Sequence, residues 1–371
     1  MSDYALFATA AKGTEGVLRD ELRELRFRGI RADRGGVHFS GSLDEAARAC
    51  LHSRIAMRIL VQLASFAAPT PEALYDGVRS IDWRTYLTPH HTLAVSANCR
   101  SSALTHSHFI ALKAKDAVVD QLREALGSRP SVDTRDPDAR IAVHLVRDQA
   151  TIYLDASGEP LHRRGYRRDL SEAPLKETLA AAILRLVGWD RTRPLVDPMC
   201  GAGTFVIEAD LWARNVAPGI ARNFGFERWA THDRDARERF ELQRESARAR
   251  QLPDGPPLLG FDIDPASVAA ARANARTARA HVTFECRDVR ETQPTEPPGF
   301  IVTNPPYGQR IEADDELFRD MARAFSTLHG HTIAILAGTP RIPNHIRTRK
   351  NEHTLFNGAI ECRLITYAIA P

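Results

Sequence analysis

The apolar positions of this chain follow two rhythms: short runs or alternations that suit strands, and recurrences every three or four residues that suit helices. The run YALFATAA opens the chain as a strand. Thr14 then precedes a helix with Val17, Leu18, Leu22 and Leu25 on one face and charges between them. GIRAD and GVHFS flank Gly35-Gly36, a tight turn between two strands. LDEAARACL reads as a helix and RIAMRILVQLASF as a returning strand. In TLAVSANC, Leu93, Val95 and Ala97 alternate on one side. A long helix follows from about Ser107 to Leu126, with Ile110, Ala114, Ala117, Val118 and Leu122 spaced for burial. A polar, turn-rich loop, GSRPSVDTRDPDAR, leads into two more strands, RIAVHLVRD and ATIYLDAS.

The β-α-β-β-α-β order of the first 60 or so residues predicts a small ferredoxin-like domain. Residues up to about 157 form a second α/β segment. From about residue 170 the pattern becomes repeated strand–helix units. APLKETLAAAILRLVGW is a helix opened near Pro174. RPLVDPMCGAGTFVIEADLWA is strand, glycine loop and helix, and PLLGFDIDPASVAAARANA is strand, acid and helix. HVTFECRDV and GFIVTNPPYG are strands, a helix runs from about Asp314 to Leu328, TIAILAG is a strand, and EHTLFNGAIECRLITYAIA closes as a hairpin. Such alternation predicts a doubly wound, mostly parallel sheet, which binds ligands at the carboxyl ends of its strands. Between two of these units, Arg234 to Arg250 mixes Arg and Glu at helical spacing, the pattern of a solvated face.

Four consecutive strand ends carry suitable chemistry. DPMCGAGT puts Gly201 and Gly203 between strand and helix, where backbone can approach a ligand closely. FDIDP ends the next strand with Asp262, placed to accept both hydroxyls of a ribose, while Asp264 caps the following helix ahead of Pro265. Asp288 ends a third strand and could take an adenine amino group. The fourth ends in Asn304-Pro305-Pro306-Tyr307, where two prolines stop the strand and fix an amide and a ring beside it. From Asp197 to Asp262 is 65 residues, far more than the spacing of roughly 20 between glycines and acid in a dinucleotide fingerprint. The glycines are also GxG, not GxGxxG. A nucleoside cofactor other than NAD is expected.

Composition narrows the class. The chain has 371 residues, 43% hydrophobic and 26% charged, which is globular and long enough for two or three domains. No apolar run reaches the roughly 18 residues of a membrane span, and the start lacks a signal-peptide layout, so a cytoplasmic protein is expected. The five cysteines form no CxxC pair and the fourteen histidines no HExxH, so neither disulfides nor a metal are expected; His90-His91 and His106/His108 read as surface or structural histidines. Net charge is only +3, but Arg outnumbers Lys 45 to 5, a bias that a GC-rich genome accounts for on its own. Arg163, Arg164, Arg167 and Arg168 cluster around Tyr166 in LHRRGYRRDL, which suits single-stranded RNA or DNA and equally suits a solvated linker.

These strand ends resemble those of class I methyltransferases that use S-adenosyl-L-methionine. The Asn-Pro-Pro-Tyr stretch is similar to a motif of enzymes that methylate planar amines of adenine, cytosine, guanine or glutamine amides. Such an amine has a lone pair delocalised into its ring or carbonyl. The resemblance implies that Asn304 Oδ1 and the Pro305 carbonyl accept its hydrogens, that Pro306 holds the geometry and that Tyr307 stacks on the base. FATAAKGTEGVLRDELREL resembles the start of bacterial THUMP-domain RNA methyltransferases, as does the run from VDTRDPDARIAVHLVRD through DASGEPLHRRGY to APLKET. Over the whole chain the resemblance is nearest to the 23S rRNA guanine-N2-methyltransferases, in the form with a single catalytic domain.

The expected organisation is therefore an α/β protein: a ferredoxin-like domain over 1–55, a THUMP domain over 56–157 and a Rossmann-like methyltransferase domain over 158–371, the first two gripping RNA. The resemblance assigns Asp197, Pro198, Cys200, Gly201, Ala202 and Gly203 to the cofactor's methionine and ribose side, with Ala202 where Ser is common. It places Lys176, Glu177 and Thr178 beside the cofactor, Asp262 and Ile263 at the ribose, and Asp288 and Val289 at the adenine. It makes Arg163, Arg164, Arg167 and Arg168 candidates for RNA phosphate contacts. Gln309 stands where Glu is frequent. The same motifs fit guanine in tRNA. Asn-Pro-Pro-Tyr alone would fit an adenine-N6 methyltransferase, and the intact motif speaks against an RNA-binding assembly factor without catalysis.

Overall fold

The structure of the protein is a computed structural model that describes residues 3–167, 175–306, 314–338 and 350–370. In chain order its elements begin with β1 (Tyr4–Thr9), α1 (Glu15–Glu24), β2 (Arg28–Asp33), β3 (Gly36–Gly41), α2 (Leu43–His52), β4 (Arg58–Ala67), α3 (Pro71–Arg79), β5 (Thr92–Arg100), α4 (Ser107–Leu126), β6 (Ser131–Val132), β7 (Ala139–Val146) and β8 (Gln149–Asp155). They continue with α5 (Glu177–Leu186), β9 (Leu195–Asp197), α6 (Thr204–Ala213), α7 (Arg234–Ala249), β10 (Leu258–Asp262), α8 (Pro265–Ala278), β11 (Thr283–Cys286), β12 (Phe300–Thr303), α9 (Asp314–Ser326), β13 (Thr332–Ala337), β14 (Lys350–Asn357) and β15 (Ile360–Ala368). The chain divides into two units, one of residues 1–9, 22–161 and 222–246, the other of 10–21, 162–221 and 247–371.

The first unit holds one eight-stranded sheet in the order β2-β3-β1-β4-β8-β7-β5-β6. Its first four strands have the ferredoxin-like arrangement expected from the sequence. The second α/β segment does not build a separate sheet: β8 pairs antiparallel with β4, Leu60 opposite Asp155, and so extends the first. Alternation along each strand sorts the faces. Leu6 and Ala8, Val37 and Phe39, Ile59 and Val61, and Ile152 and Leu154 are all buried. So are Ala46, Ala47, Cys50 and Leu51 of α2 and Ile110, Ala114, Ala117, Val118 and Leu122 of α4. Helix α3, which the hydrophobic pattern did not reveal, has a plain local signal: Thr70 caps it by accepting from Ala73 N at 3.2 Å, with Pro71 at its first position.

The long spacing between Asp197 and Asp262 now has its cause, because residues 222–246 fold with this first unit. Arg222 donates to the carbonyls of Ser157, Glu159 and Pro160 at 3.2, 2.7 and 2.7 Å. A Cβ on Gly225 would lie 2.8 Å from Gly158 N, so only glycine allows that approach. Trp229 meets Tyr86 edge-on at 6.4 Å, and Arg239 pairs with Asp44 at 2.8 Å. Helix α7 presents the solvated face its charges suggested, with Arg237, Glu238, Glu241 and Glu245 exposed, but its other side is packed: Ala236, Phe240 and Arg244 are buried, with Arg244 paired to Glu227 at 2.9 Å.

The second unit is a three-layer α/β/α arrangement around a sheet ordered β11-β10-β9-β12-β13-β15-β14. The first five strands are parallel, and β15 and β14 close it antiparallel. Leu195, Phe300, Val302, Ala334 and Leu336 pack with α5, α6 and α8. Val196, Ile301, Ile333 and Ile335 pack with α9 through Phe318, Met321 and Phe325. Burial on both faces explains why β12 reads as an unbroken apolar run. Strand order reverses at β9, between β10 and β12, so the crevice at the carboxyl ends of these strands is where such a sheet takes a ligand.

Candidate active site

At the end of β9, Asp197 turns the chain into the loop before α6, and the loop is tied by its own backbone. Met199 N donates to Asp197 Oδ1 at 3.2 Å, Cys200 N to Phe261 O at 2.9 Å, and Gly203 N to Cys200 O at 2.8 Å. Gly201 and Gly203 sit at φ +49° and +81°, a region that disfavours side chains. A Cβ on Gly203 would also lie 3.0 Å from the Phe284 ring and 3.2 Å from Ala271 Cβ. From α8, Asn274 Nδ2 donates to Ala202 O at 3.1 Å. Sequence reasoning passed over Asn274, although a polar residue in register with the buried Val268 and Ala271 was a legible signal. Pro198 is buried and Gly201 and Ala202 are half-buried. Burial pushes the Asp197 carboxyl up to about 7 against the pull of the Met199 N–H, and the charge of Asp262 adds to the rise. Burial likewise raises the Cys200 thiol, which keeps it a packed thiol rather than a nucleophile.

The neighbouring strand ends face this loop in order. Asp262 Oδ2 accepts from Gly201 N at 2.9 Å and Oδ1 from Asp264 N at 3.0 Å. A carboxylate offers about four lone-pair sites, so each oxygen retains capacity for an outside hydroxyl. Asp264 caps α8 by accepting from Ala266 N and Ser267 N, with Pro265 at the first helical position, as its sequence context predicts. Ile263 is 68% exposed, an apolar side chain free to lie against a flat ring. Asp288 follows β11 but is engaged already: Arg290 holds it through bonds of 2.9 and 2.8 Å and keeps its carboxyl below the usual range. Val289 is buried in the packing with Phe261 and Phe318, so its side chain belongs to the core beneath the strand ends.

On the other side of β9, β12 ends at Thr303 and delivers Asn304. Asn304 Oδ1 is buried and has no hydrogen-bond partner among the described residues. Pro305 is buried and Pro306 exposed, whereas Tyr307, like Gln309, lies outside the described residues. At the start of α5, Lys176 is the cap residue and Thr178 is 2% exposed, with an Oγ1 that also has no partner among the described residues. Two of the residues singled out from sequence thus hold buried oxygens that nothing described in the chain satisfies. Other side chains share that state, Trp229 Nε1 among them, and it suits groups that meet a ligand.

The arginine cluster is where the expectation fails. Arg164 Nε lies 3.5 Å from Glu208 Oε1, with side chains 3% and 0% exposed, and Tyr166 OH donates to the same oxygen at 3.2 Å. Arg167 Nε lies 3.6 Å from Glu177 Oε1, also in the interior. Burial raises the Glu177 carboxyl and Arg167 opposes that rise. A guanidinium buried against a carboxylate is not available to a phosphate, so Arg164 and Arg167 drop out as RNA contacts, and Tyr166 is core. Arg163 is exposed, and Arg168 lies outside the described residues. Among the described residues no group of three or more His, Cys, Asp or Glu is placed to hold a metal, and no helix is long and apolar enough to cross a membrane.

Comparison with known proteins sets this geometry in a lineage. Residues 164–366 match the RMKL-like methyltransferase domain, residues 68–155 the THUMP domain and residues 5–60 the RlmL ferredoxin-like domain. The ribosomal RNA large subunit methyltransferase K/L of Syntrophotalea carbinolica is 44% identical over 98% of the chain. The chain spans about half the length of the curated relatives it matches, 53% in that case. The crystal structure of SMU.472 complexed with SAH superposes with a TM-score of 0.89 at 32% identity, covering 100% of this chain and 99% of that one. A Listeria monocytogenes protein described as a predicted N6-adenine-specific DNA methylase superposes with a TM-score of 0.90 at 29% identity, covering 100% and 97%.

Proposed function

The chain belongs to the RMKL-like methyltransferase family, and from that premise we propose that it transfers a methyl group from S-adenosylmethionine to the exocyclic N2 amine of a guanine in 23S ribosomal RNA. The observation that carries the reading is Asn304 Oδ1, a buried acceptor without a described partner at the end of β12. When bound, S-adenosylmethionine supplies an electrophilic methyl group on a sulfonium. The glycine loop from Asp197 to Gly203 and the acid Asp262 are the residues that would hold it, with Ile263 against its base. Thr178 offers a further hydroxyl from the start of α5. Asp288 has spare capacity for an adenine amino group only to the extent that Arg290 shares it.

The chemistry required of the chain is orientation. An aromatic amine is planar because its lone pair is delocalised, so it attacks poorly. Asn304 Oδ1 and the Pro305 carbonyl accept its two hydrogens and direct the lone pair out of conjugation. Proline fixes backbone rotation, so that carbonyl does not need to be ordered when the base arrives. A base in a helix cannot reach such a site without leaving its stack, so the substrate guanine is unpaired or flipped out. The proton released after methylation passes to water. The THUMP and ferredoxin-like segments support RNA as the substrate class, as do curated relatives whose names refer to large-subunit ribosomal RNA.

A second reading, methylation of adenine N6, draws on the Asn-Pro-Pro-Tyr stretch, which serves either amine. Mass spectrometry of nucleosides from 23S rRNA, tRNA and DNA of a deletion strain separates the two. The proposal expects loss of one N2-methylguanosine from 23S rRNA, restored by the wild-type gene and not by Asn304→Ala. Loss of another methylguanosine from the same RNA would change the acceptor atom, and loss from tRNA would change the substrate. Loss of N6-methyladenine would install the second reading. No change in any of them would end both.

A further inference from the structure

We propose that Arg167 is a positioning residue for the cofactor loop, a role that rests on the S-adenosylmethionine reading of the site. Its guanidinium gathers three groups from two separate pieces of the second unit. Arg167 Nη2 donates to Leu175 O at 3.2 Å and to Thr204 Oγ1 at 2.5 Å, while Nε faces Glu177 Oε1 at 3.6 Å. Thr204 is the first residue of α6 and follows Gly203 directly. Leu175 and Glu177 bracket Lys176, the cap residue of α5, and Thr178 comes next. One side chain therefore fastens the end of the glycine loop to the turn that presents the Thr178 hydroxyl, which has no partner among the described residues.

The chemistry explains why arginine stands here. A planar guanidinium presents donors in a fixed fork, and a lysine ammonium cannot reproduce that spread at three acceptors. The arginine and glutamate side chains are only 8% and 5% exposed, so water does not substitute readily for either. Removing the cation leaves Glu177 buried with its charge uncompensated. A second latch stands beside the first: Arg164 and Tyr166 converge on Glu208 of α6, about one helical turn beyond Thr204. Both latches come from the stretch 162–167, whose arginines suggested RNA phosphate contacts when read as sequence. Asn274 holds Ala202 of the loop from α8, and Arg167 holds Thr204 two residues on.

The test compares Arg167→Gln, Arg167→Lys, Thr204→Val and Thr204→Ser with wild type. Binding of S-adenosylhomocysteine is read by calorimetry, RNA affinity by titration of a 23S rRNA transcript at several salt concentrations, and folding by thermal melting. The proposal expects Arg167→Gln to weaken S-adenosylhomocysteine binding by about 10-fold or more, the scale on which loss of outer support acts at metal sites. RNA affinity and its salt slope stay at the wild-type values. In turnover, KM for S-adenosylmethionine rises while KM for RNA does not. Arg167→Lys recovers only part of the loss, and Thr204→Ser recovers what Thr204→Val loses. If Arg167→Gln does not fold, the Thr204 pair carries the test. Wild-type affinity in Arg167→Gln, or in both Thr204 variants, overturns the positioning role alone. A shallower salt slope for RNA with unchanged S-adenosylhomocysteine binding restores the phosphate reading and overturns it too. Failure of the wild-type protein to bind S-adenosylhomocysteine overturns the cofactor reading and this inference together.

Discussion

Replacing Asn304 by alanine separates function from stability. Most buried polar side chains support the fold, and truncating one strands its partner. Asn304 Oδ1 has no described partner to strand. A buried acceptor without a hydrogen bond costs a fold about 1–3 kcal/mol. Truncation removes that cost and also removes the amide's packing, and the two effects oppose each other. The net change in stability should stay within about 1 kcal/mol, a shift in melting temperature of no more than about 4 °C for a domain of this size. Catalysis should respond very differently. Removing one preorganised group aimed at a reacting centre slows chemistry by about 100- to 1,000-fold, which is about 2.7–4 kcal/mol in the barrier. Single-turnover transfer of radiolabelled methyl to a 23S rRNA transcript isolates the chemical step from binding and release. Calorimetry with S-adenosylhomocysteine should show unchanged affinity. A fall in melting temperature well beyond about 4 °C would mean that Asn304 is a structural residue with a partner. An undiminished single-turnover rate would mean that its oxygen does not touch the amine. Either result refutes the reasoning.

Other consequences can be tested with the same protein. Because burial raises the folded-state Asp197 carboxyl to about 7, above its ordinary value of 3.8, the folded protein binds a proton there that the unfolded chain releases. Its contribution favours folding below about pH 4 and is lost as pH rises through about 7. Over that window Asp197→Asn should lose less stability than wild type in denaturant titrations; parallel curves would show that the carboxyl is not buried as described. Gly203→Ala combines φ +81° with a Cβ 3.0 Å from the Phe284 ring. The backbone conformation alone costs about 1–2 kcal/mol, so the melting temperature and S-adenosylhomocysteine affinity should both fall, and the paired change Phe284→Leu should recover part of the loss. Equal behaviour of Gly203→Ala and wild type would refute the tight seating of the loop on β11.

Local chemistry along the chain determines much of this protein. Strand ends are legible because each is punctuated by residues with one conformational purpose. Glycines at Gly201 and Gly203 hold positive φ, prolines at Pro305 and Pro306 forbid continuation of β12, and Asp264-Pro265 opens α8. The apolar periods placed α4 and the parallel strands because burial on one or both faces leaves a direct imprint on sequence. Tertiary structure alone decided which charges are inside. Arg164 and Arg167 lie in a run of arginines that looks solvated, and only the fold brings Glu208 and Glu177 to them. It also decided that β8 joins β4 in one sheet, because pairing between strands depends on registers far apart in the chain. It sent residues 222–246 to the first unit, which accounts for a spacing that local pattern could report but not explain. Sequence carries what each residue requires of its neighbours in the chain; partners distant in sequence exist only once the chain has folded and desolvated them together.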